Sequence, residues 1–277
     1  MGTLDSLSAL ISAQTDGTAQ NLHFYMMPRD ASGGITLTTT RLNSMWAFYK
    51  SRNGSGETSL TTTPAIPDKT SYGALNHADA TSGKTLKLVN FSGQLYGAGQ
   101  IVLYDRLYHV GGFSGTVTTA QAPASSTPLT RNTGGVGNVM FVEIHTQIGS
   151  TARTATVSYK NQAGTTKTSK TFAIGGTGNR EKYRLIAVPL ADGDTGVTEF
   201  LDITLSASTA TAGSFGVIIC NPLADAFSPA YGFNQSYVVG SPVMPEIHDD
   251  AALMFGFNPC ASSSNNDMML SLSIVEA

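Results

Sequence analysis

Strict alternation of apolar and polar residues in the middle of the chain constrains the fold more than any other sequence feature. Residues 154–160 read Thr-Ala-Thr-Val-Ser-Tyr-Lys, an Asn-Gln-Ala-Gly turn follows, and a second alternating run closes on Phe172 and Ile174. A period of two residues predicts β-strands, so residues 154–174 are predicted to form a hairpin. The side chains predicted to point inward are those of Ala155, Val157, Tyr159, Phe172 and Ile174. The opposite face carries mainly Thr, Ser and Lys, so the hairpin is predicted to be framework.

Similar apolar runs recur from about residue 57 to the end of the chain. They predict further strands at residues 85–91, 100–108, 139–148, 183–189, 197–205, 215–220, 253–257 and 268–275. With the hairpin this makes about eight to ten strands at irregular spacing. Such a pattern is typical of two packed antiparallel sheets. We therefore predict an all-β fold, a two-sheet sandwich of jelly-roll type.

The first 56 residues are predicted to form a helical arm that packs on a β-domain spanning residues 57–277. A short amphipathic helix is indicated by helical spacing of Leu4, Leu7, Leu10 and Ile11. A second helix is indicated by Leu42, Met45, Trp46 and Tyr49, with Thr39 or Thr40 as N-cap and Asn53-Gly54 at its end. The single tryptophan is interpreted as a core anchor in preference to a ligand-stacking platform.

One connection is unusually long. Residues 116–137 are rich in Gly, Thr, Ser and Pro and exceed the usual length of a loop in a compact domain. The segment is either a linker at a subdomain break or an arm ordered by a neighbouring molecule.

Charge and composition exclude several classes of function. Charged residues make up 13% of the chain, about half the usual ~25%, which favours a surface that faces other subunits. The net charge is −3 and no basic run exceeds a pair, so nucleic acid is not a predicted ligand. No apolar stretch predicts membrane insertion, and no secretion signal is recognised at the start. Cys220 is interpreted as a buried apolar residue and Cys260 as a loop residue, and a disulfide between them is unsupported.

Histidines are the first candidates for catalysis, but none of the five has metal-site spacing. They are His23, His77, His109, His145 and His248. Asp105 could orient His109 as a general base. The preferred interpretation is structural, with Asp105-Arg106 forming an ion pair or a turn and His109 hydrogen-bonded where its strand enters the Gly111-Gly112 bend.

Acidic and glycine-rich stretches supply the remaining candidates. His248-Asp249-Asp250, with Glu246 nearby, could hold a divalent cation, although a capped turn is the simpler interpretation. Residues 192–196 (Asp-Gly-Asp-Thr-Gly) lack the later ligands of a calcium loop and predict a tight turn. Residues 111–115 lack the G-x-S-x-G spacing of a nucleophile elbow, and residues 134–137 lack a phosphate-binding lysine. Residues 231–237 have the aromatic and amide side chains of a sugar site, and equally of a packed loop. No catalytic, cofactor-binding or metal-binding residue is predicted.

Three stretches resemble a group of tailed-bacteriophage virion structural proteins. They are Leu-Tyr-Asp-Arg-Leu-Tyr-His-Val-Gly-Gly at 103–112, Tyr-Lys-Asn-Gln-Ala-Gly at 159–164 and Asp-Gly-Asp-Thr-Gly-Val at 192–197. The resemblance spans roughly residues 103–197 and implies a location in a particle without implying an activity.

Within a virion, synthesised in the host cytoplasm, the resemblance favours a capsid decoration or cement protein. Its partners would be the major capsid protein or other virion proteins, and a homo-oligomer, guessed to be a trimer, is expected. A tail, collar or glycan-binding receptor role stays open, as does a β-sandwich hydrolase.

Overall fold

Antiparallel strands form nearly all of the regular structure. The computed structural model describes residues 11–12, 15, 19–26, 29–30, 33–34, 37, 39–48, 60–95, 97–229, 234–238, 244–260 and 267–277. The strands are β1 (Gln20–Met26), β2 (Arg29–Asp30), β3 (Gly33–Gly34), β4 (Asn43–Ser44), β5 (Leu86–Leu95), β6 (Gly99–Phe113), β7 (Val139–Thr146), β8 (Arg153–Asn161), β9 (Thr166–Thr168), β10 (Phe172–Ile174), β11 (Leu185–Ala187), β12 (Val197–Leu205), β13 (Ser214–Ser228), β14 (Asn234–Val238), β15 (Glu246–Ile247), β16 (Leu253–Pro259) and β17 (Met268–Glu276). One 3-10 helix spans Trp46–Phe48. No helix in the described ranges has the length and apolar character needed to cross a membrane.

Six strands form a central sheet that closes on itself. Their order is β11-β7-β13-β6-β16-β4. At the seam between the two end strands, Ser44 N donates to Tyr183 O at 2.7 Å, and Leu185 N donates to Leu42 O at 2.9 Å. These bonds turn the sheet into a small barrel, and closure removes the exposed edges that an open sheet would present.

Bulges in the two longest strands help the central sheet to curl. The strands β6 and β13 each have 15 residues and pair with three shifts of register. At one shift Tyr108 pairs with Ile219 and Arg106 pairs with Cys220, which leaves Leu107 as the extra residue. A bulge of this kind bends its strand and increases the local twist.

Two smaller sheets pack against the outside of the barrel. The first flanking sheet has the order β1-β17-β5-β14, with β15 also paired to β5. The second has the order β10-β8-β12, with β9 paired to β8. Under the first sheet, Phe91 stacks on Phe255 of the barrel with ring centroids 5.8 Å apart. Under the second, Phe200 lies 5.8 Å from Phe113 of the barrel. Sheets therefore pack face to face in two places, and the predicted all-β, sandwich-type fold is confirmed.

The predicted hairpin is confirmed as β8, β9 and β10. All five side chains predicted to point inward are buried, the most exposed being Phe172 at 8%. Its turn is stabilised by Asn161, whose Oδ1 accepts hydrogen bonds from Ala163 N and Thr165 N, both at 3.0 Å. Gly164 supplies a left-handed φ of 71°.

The second predicted helix is wrong. Residues 43–44 form β4, and a 3-10 turn follows at 46–48. Tyr49 and the predicted end at Asn53-Gly54 lie outside the described residues. Met45 N donates to Phe255 O at 2.9 Å, so backbone pairing with β16 replaces the helical bonds that the apolar spacing suggested. Trp46 is nonetheless 1% exposed, as the core-anchor interpretation requires.

Much of the predicted N-terminal arm lies outside the described residues. Of the first predicted helix, which runs from Leu4 to Ile11, only Ile11 is described, and its backbone is helical. Residues 20–26 form β1, which pairs with β17 at the end of the chain. The division into residues 1–56 and 57–277 stays a prediction.

Candidate functional site

Polar side chains inside the barrel are the main concentration of titratable groups. Arg106 and His109 come from β6, Glu143 and His145 from β7, and Trp46 from the 3-10 turn. Glu143 and His145 share a face because strand side chains alternate. Arg106 and His109 are three positions apart, which in a regular strand would place them on opposite faces, yet both contact Trp46. The bulge at Leu107 shifts the alternation of side chains by one residue, so Arg106 and His109 lie on the same face of β6.

An ion pair lies at the centre of this cluster. Arg106 Nη2 donates to Glu143 Oε2 at 2.8 Å, and the Arg106 side chain is fully buried. The guanidinium lies over the Trp46 ring at 4.5 Å from its centroid, a cation–π contact. Burying two charges carries a large desolvation cost, which the ion pair and the aromatic contact offset.

Two histidines also lie beside the ion pair. Nε2 of His145 lies 3.5 Å from Oε2 of Glu143. The His109 ring meets Trp46 edge to face, with centroids 6.3 Å apart and an interplanar angle of 89°. Three buried nitrogens of the cluster have no hydrogen-bond partner among the described residues: Nε of Arg106, Nδ1 of His109 and Nδ1 of His145. The cluster is therefore held more by packing and charge than by a complete hydrogen-bond network.

Burial and charge set the protonation states. Burial, followed by the nearby positive charge of Arg106, lowers the pKa of His109 to about 3. Burial alone would raise the pKa of Glu143, but the Arg106 charge and the contacts with His145 and Ser44 outweigh it, so this pKa lies well below its usual range. Near neutral pH the barrel therefore holds an ionised Glu143 and a neutral His109. An imidazole with so low a pKa is a poor general base.

The hypothesised pairing of Asp105 with His109 does not form. Asp105 accepts hydrogen bonds from Arg131 through both carboxylate oxygens, at 2.8 and 2.9 Å, and also from Ala252 N at 2.9 Å. Arg131 is 5% exposed and also donates to Pro67 O at 2.9 Å. The predicted ion pair of Asp105 with Arg106 is wrong as well. The Asp105 carboxylate binds Arg131 of the long loop, and Arg106 pairs with Glu143.

The long connection at residues 116–137 is fastened to its own chain. Besides Arg131, Gln121 forms a bridge with Ile203 of β12, and Val136 forms one with Gly196 just before that strand. These contacts lie along the second side of β12, so the loop covers part of the edge of the second flanking sheet. The sequence predicted the unusual length of this loop but not Arg131, since nothing in the chain order relates it to Asp105.

The acidic stretch near residue 248 forms a turn. Asp250 N donates to His248 Nδ1 at 3.0 Å, and Ala251 N donates to His248 O at 2.8 Å. Asp249 accepts from Ala80 N, while Glu246 pairs with Lys87 at 2.7 Å. The carboxylates thus have separate partners, and no group of three metal-ligating side chains occurs within the described ranges.

Residues 192–196 form the predicted tight turn and support the hairpin. Gly193 has a φ of 84°, and Asp194 N donates to Ala191 O. The Asp194 carboxylate accepts hydrogen bonds from the Tyr159 hydroxyl and from Asn161 Nδ2, and these two bonds lower its pKa. This carboxylate stabilises the turn end of the hairpin.

Other sequence candidates lie apart from the barrel cluster. His77 lies within hydrogen-bonding distance of Ala251 O. Both cysteines are free, Cys220 buried and Cys260 exposed. Of the sugar-site stretch, residues 231–233 lie outside the described residues, and residues 234–237 belong to β14, which pairs with β5.

The outward side of the first flanking sheet carries three rows of uncharged residues, which we call the outer face. Across β1, β17 and β5 the register aligns them as Tyr25-Met269-Gln94, His23-Ser271-Ser92 and Asn21-Ser273-Asn90. Ser92 in the middle row is buried, at 8% exposure. Tyr25 is 56% exposed and Met269 is 55% exposed. Such adjacent exposed apolar side chains are a feature of surfaces that contact other proteins. The sequence does not predict this surface, because β1 lies within a segment whose pattern predicts a helical arm.

No protein-family model matches the chain, and no curated protein matches it. Among solved structures, it is similar to a chain in the structure of infectious bursal disease virus, Gt strain. The identity is 8% and the TM-score is 0.18, over 94% of this chain and 81% of the viral chain. It is also similar to the infectious bursal disease virus VP2 subviral particle at 8% identity and a TM-score of 0.17, with the same coverage. TM-scores this low do not indicate a shared fold.

Proposed function

We propose that this protein is a non-enzymatic structural component of a bacteriophage virion, most specifically a decoration or cement protein of the capsid. The observation that carries the proposal is the place of the three stretches that resemble virion structural proteins. Residues 103–112 lie in β6 at the centre of the barrel. Residues 159–164 form the turn end of the hairpin, and residues 192–197 lead into β12. The residues that carry the resemblance therefore lie in strands and turns of the β-fold, as expected for a structural protein.

The fate of the strongest catalytic candidates also supports a structural role. Asp105 is bound to Arg131, and the pKa of His109 is lowered to about 3 by burial. A hydrolase would need a base that is both accessible and able to take a proton near neutral pH. Asp105 instead anchors the long loop through Arg131, and His109 is enclosed in the barrel.

The proposed partners are the major capsid protein, other virion proteins and further copies of the chain. The outer face, with its hydroxyl, amide and apolar groups, suits contacts of this kind, since charged residues are depleted at the centres of protein interfaces. The expected homo-oligomer, guessed to be a trimer, belongs to this proposal. No cofactor is required for it, and the protein would act in the virion after synthesis in the host cytoplasm.

Purified particles of the phage that encodes this sequence test the proposal. Quantitative mass spectrometry measures copies per particle, and electron microscopy with a gold label on the N-terminus locates them. A cement protein is expected in many copies, with labels spread over the head. Particles that lack it should lose their DNA at a lower temperature than wild-type particles, and adding the purified protein back should restore them.

Other outcomes discriminate the alternatives. Labels confined to the neck or tail would replace the capsid role with a tail, collar or receptor role, and binding to host glycans would then identify the receptor. Absence from particles that are otherwise complete would overturn the virion role itself.

A further inference from the structure

Positive charge is concentrated at the seam where the barrel closes, in a set of side chains that we call the seam cluster. Residues 178–184, which lead into β11, read Gly-Asn-Arg-Glu-Lys-Tyr-Arg and carry three basic side chains and one acidic one. Arg41, just before β4, adds a fourth basic side chain from the other side of the seam. A Cβ on Gly178 would lie 3.5 Å from Arg41 Nε, so the two segments are in contact. The chain as a whole has a net charge of −3, so this excess of positive charge is local.

Arg184 is the buried member of the seam cluster, at 1% exposure. Its Nε donates to Gly178 O at 2.7 Å and its Nη1 donates to Leu42 O at 3.0 Å, but Nη2 has no hydrogen-bond partner among the described residues. Burial lowers the pKa of Arg184 to about 10, the Glu181 carboxylate opposes this shift, and the charge of Arg41 adds to it. The guanidinium therefore stays charged near neutral pH, and its two carbonyl acceptors compensate that charge only in part.

A turn in the seam cluster already holds a carboxylate. Glu181 accepts hydrogen bonds from Gly178 N through Oε1 and from Arg180 N through Oε2, both at 3.2 Å. Backbone N–H groups that converge in a turn form a concave site for an anion. Both bonds are longer than the about 2.7–2.9 Å of good charge-assisted hydrogen bonds, and the Glu181 side chain is 34% exposed. The turn is therefore suited to a carboxylate, and its present occupant is held loosely and within reach of solvent.

We propose that the seam cluster binds a carboxylate from an acidic segment of a partner protein, which pairs with Arg41 and exchanges with Glu181 at the backbone turn. The inference adds the chemistry of the partner to the assembly role proposed above, on which it rests for the partner being a protein.

Arg41 is the side chain that selects this ligand. It is exposed, and its guanidinium forms no hydrogen bond or ion pair within the part of the chain that the structure describes. Arginine pairs with carboxylates through two parallel hydrogen bonds, which gives such a contact both strength and orientation. Proteins that follow a nucleic-acid backbone instead neutralise several phosphates along a basic stripe, whereas this cluster is confined to one turn and the residue beside it.

A short fluorescein-labelled oligoglutamate peptide provides the first test. Fluorescence anisotropy at low ionic strength should show saturable binding to the wild-type protein, and added salt should weaken it. Arg41→Glu replaces attraction by repulsion and should weaken binding at least about tenfold. Lys167→Glu is the matched control, since it makes the same charge change on an exposed residue of β9. That residue lies at the turn end of the hairpin, whereas the seam cluster follows the other end, after β10. The control should bind within about twofold of wild type, because distant exposed charges are screened.

Exchange with Glu181 provides a second test, which looks for a gain of binding that misfolding cannot produce. Glu181→Gln removes the competing charge and should strengthen peptide binding several-fold. Glu246→Gln makes the same charge change on β15, at a side chain that is 58% exposed, and should leave binding nearly unchanged. Thermal melts identify any variant that has lost its fold.

Four results would overturn the proposal. They are no binding to the wild-type protein, equal effects of Arg41→Glu and Lys167→Glu, equal effects of Glu181→Gln and Glu246→Gln, and tighter binding of an oligothymidylate of the same length than of the peptide. Because these measurements use the isolated protein, their outcome is independent of whether it is found in particles.

Discussion

Removing Glu143 should destabilise the protein far more than removing an equivalent carboxylate at the surface. The substitution Glu143→Ala leaves the guanidinium of Arg106 fully buried without its 2.8 Å partner. Breaking a buried ion pair from one side costs about 3–5 kcal/mol, because the remaining charge is neither solvated nor paired. The cation–π contact with Trp46 persists and offsets only part of this loss.

A surface pair supplies the control. Glu246 pairs with Lys87 at 2.7 Å, but its side chain is 58% exposed. Exposed pairs contribute about 0–1 kcal/mol, so Glu246→Ala should change the free energy of unfolding by no more than that. Urea denaturation at pH 7 measures both variants. A third variant, Arg106→Met combined with Glu143→Leu, removes both charges and should recover most of the stability.

The destabilisation caused by Glu143→Ala should also depend on pH in a defined direction. The pKa of Glu143 in the folded protein lies well below its unfolded value of about 4.3. Its contribution is therefore fully present above the unfolded value and is lost as the pH falls towards the folded one. The difference between wild type and Glu143→Ala should hold from pH 8 to about pH 5 and shrink below about pH 4. If Glu143→Ala and Glu246→Ala cost the same at pH 7, the assignment of the barrel ion pair as a major structural contact is wrong.

Three further predictions concern the barrel and its loop. Because the pKa of His109 is lowered to about 3, its unfolded form takes up a proton first, so wild-type stability should fall from about pH 6.5 downward. In His109→Gln this slope should decrease by up to about 1.4 kcal/mol per pH unit, measured by urea denaturation at several pH values. A Cβ on Gly73 would lie 2.2 Å from the barrel tryptophan, so Gly73→Ala should destabilise by about 1–3 kcal/mol, whereas Gly134→Ala, with open space around it, should be nearly neutral in thermal melts. Replacing Arg131 with Gln should release the long loop and speed its cleavage by subtilisin several-fold. Asp105→Asn should do the same, because it turns one of the two acceptor oxygens into a donor and removes the charge that pairs with Arg131. Cleavage as slow as in wild type for both variants would contradict the anchoring role.

Local patterns determined the strand content of this protein. Alternation placed Val157 and Tyr159 of the hairpin on the buried face, where the structure has them. In β7 it placed Val142 and Glu143 on opposite faces of the strand. These assignments succeed because the two-residue period of a strand is set by backbone geometry, which does not depend on the rest of the molecule. The turn after Asn161 was likewise predictable, since an asparagine and a glycine three residues later satisfy its local hydrogen bonds and backbone angles.

Long-range pairing decided the remainder. Apolar spacing around Trp46 is the same in a helix and in a segment whose backbone bonds to distant strands. Long-range bonds such as that from Met45 N to Phe255 O distinguish the two, and the local sequence does not contain them. The barrel closes through residues far apart in the chain, and closure brings Arg106 to Glu143 and Trp46. The order of residues in the chain does not give their distances in space. The free energy of a buried charge depends on the groups around it in the folded protein, so this ion pair could not be predicted from the sequence. Strand periodicity could therefore be predicted from the sequence, while the barrel and its buried ion pair were decided by tertiary structure.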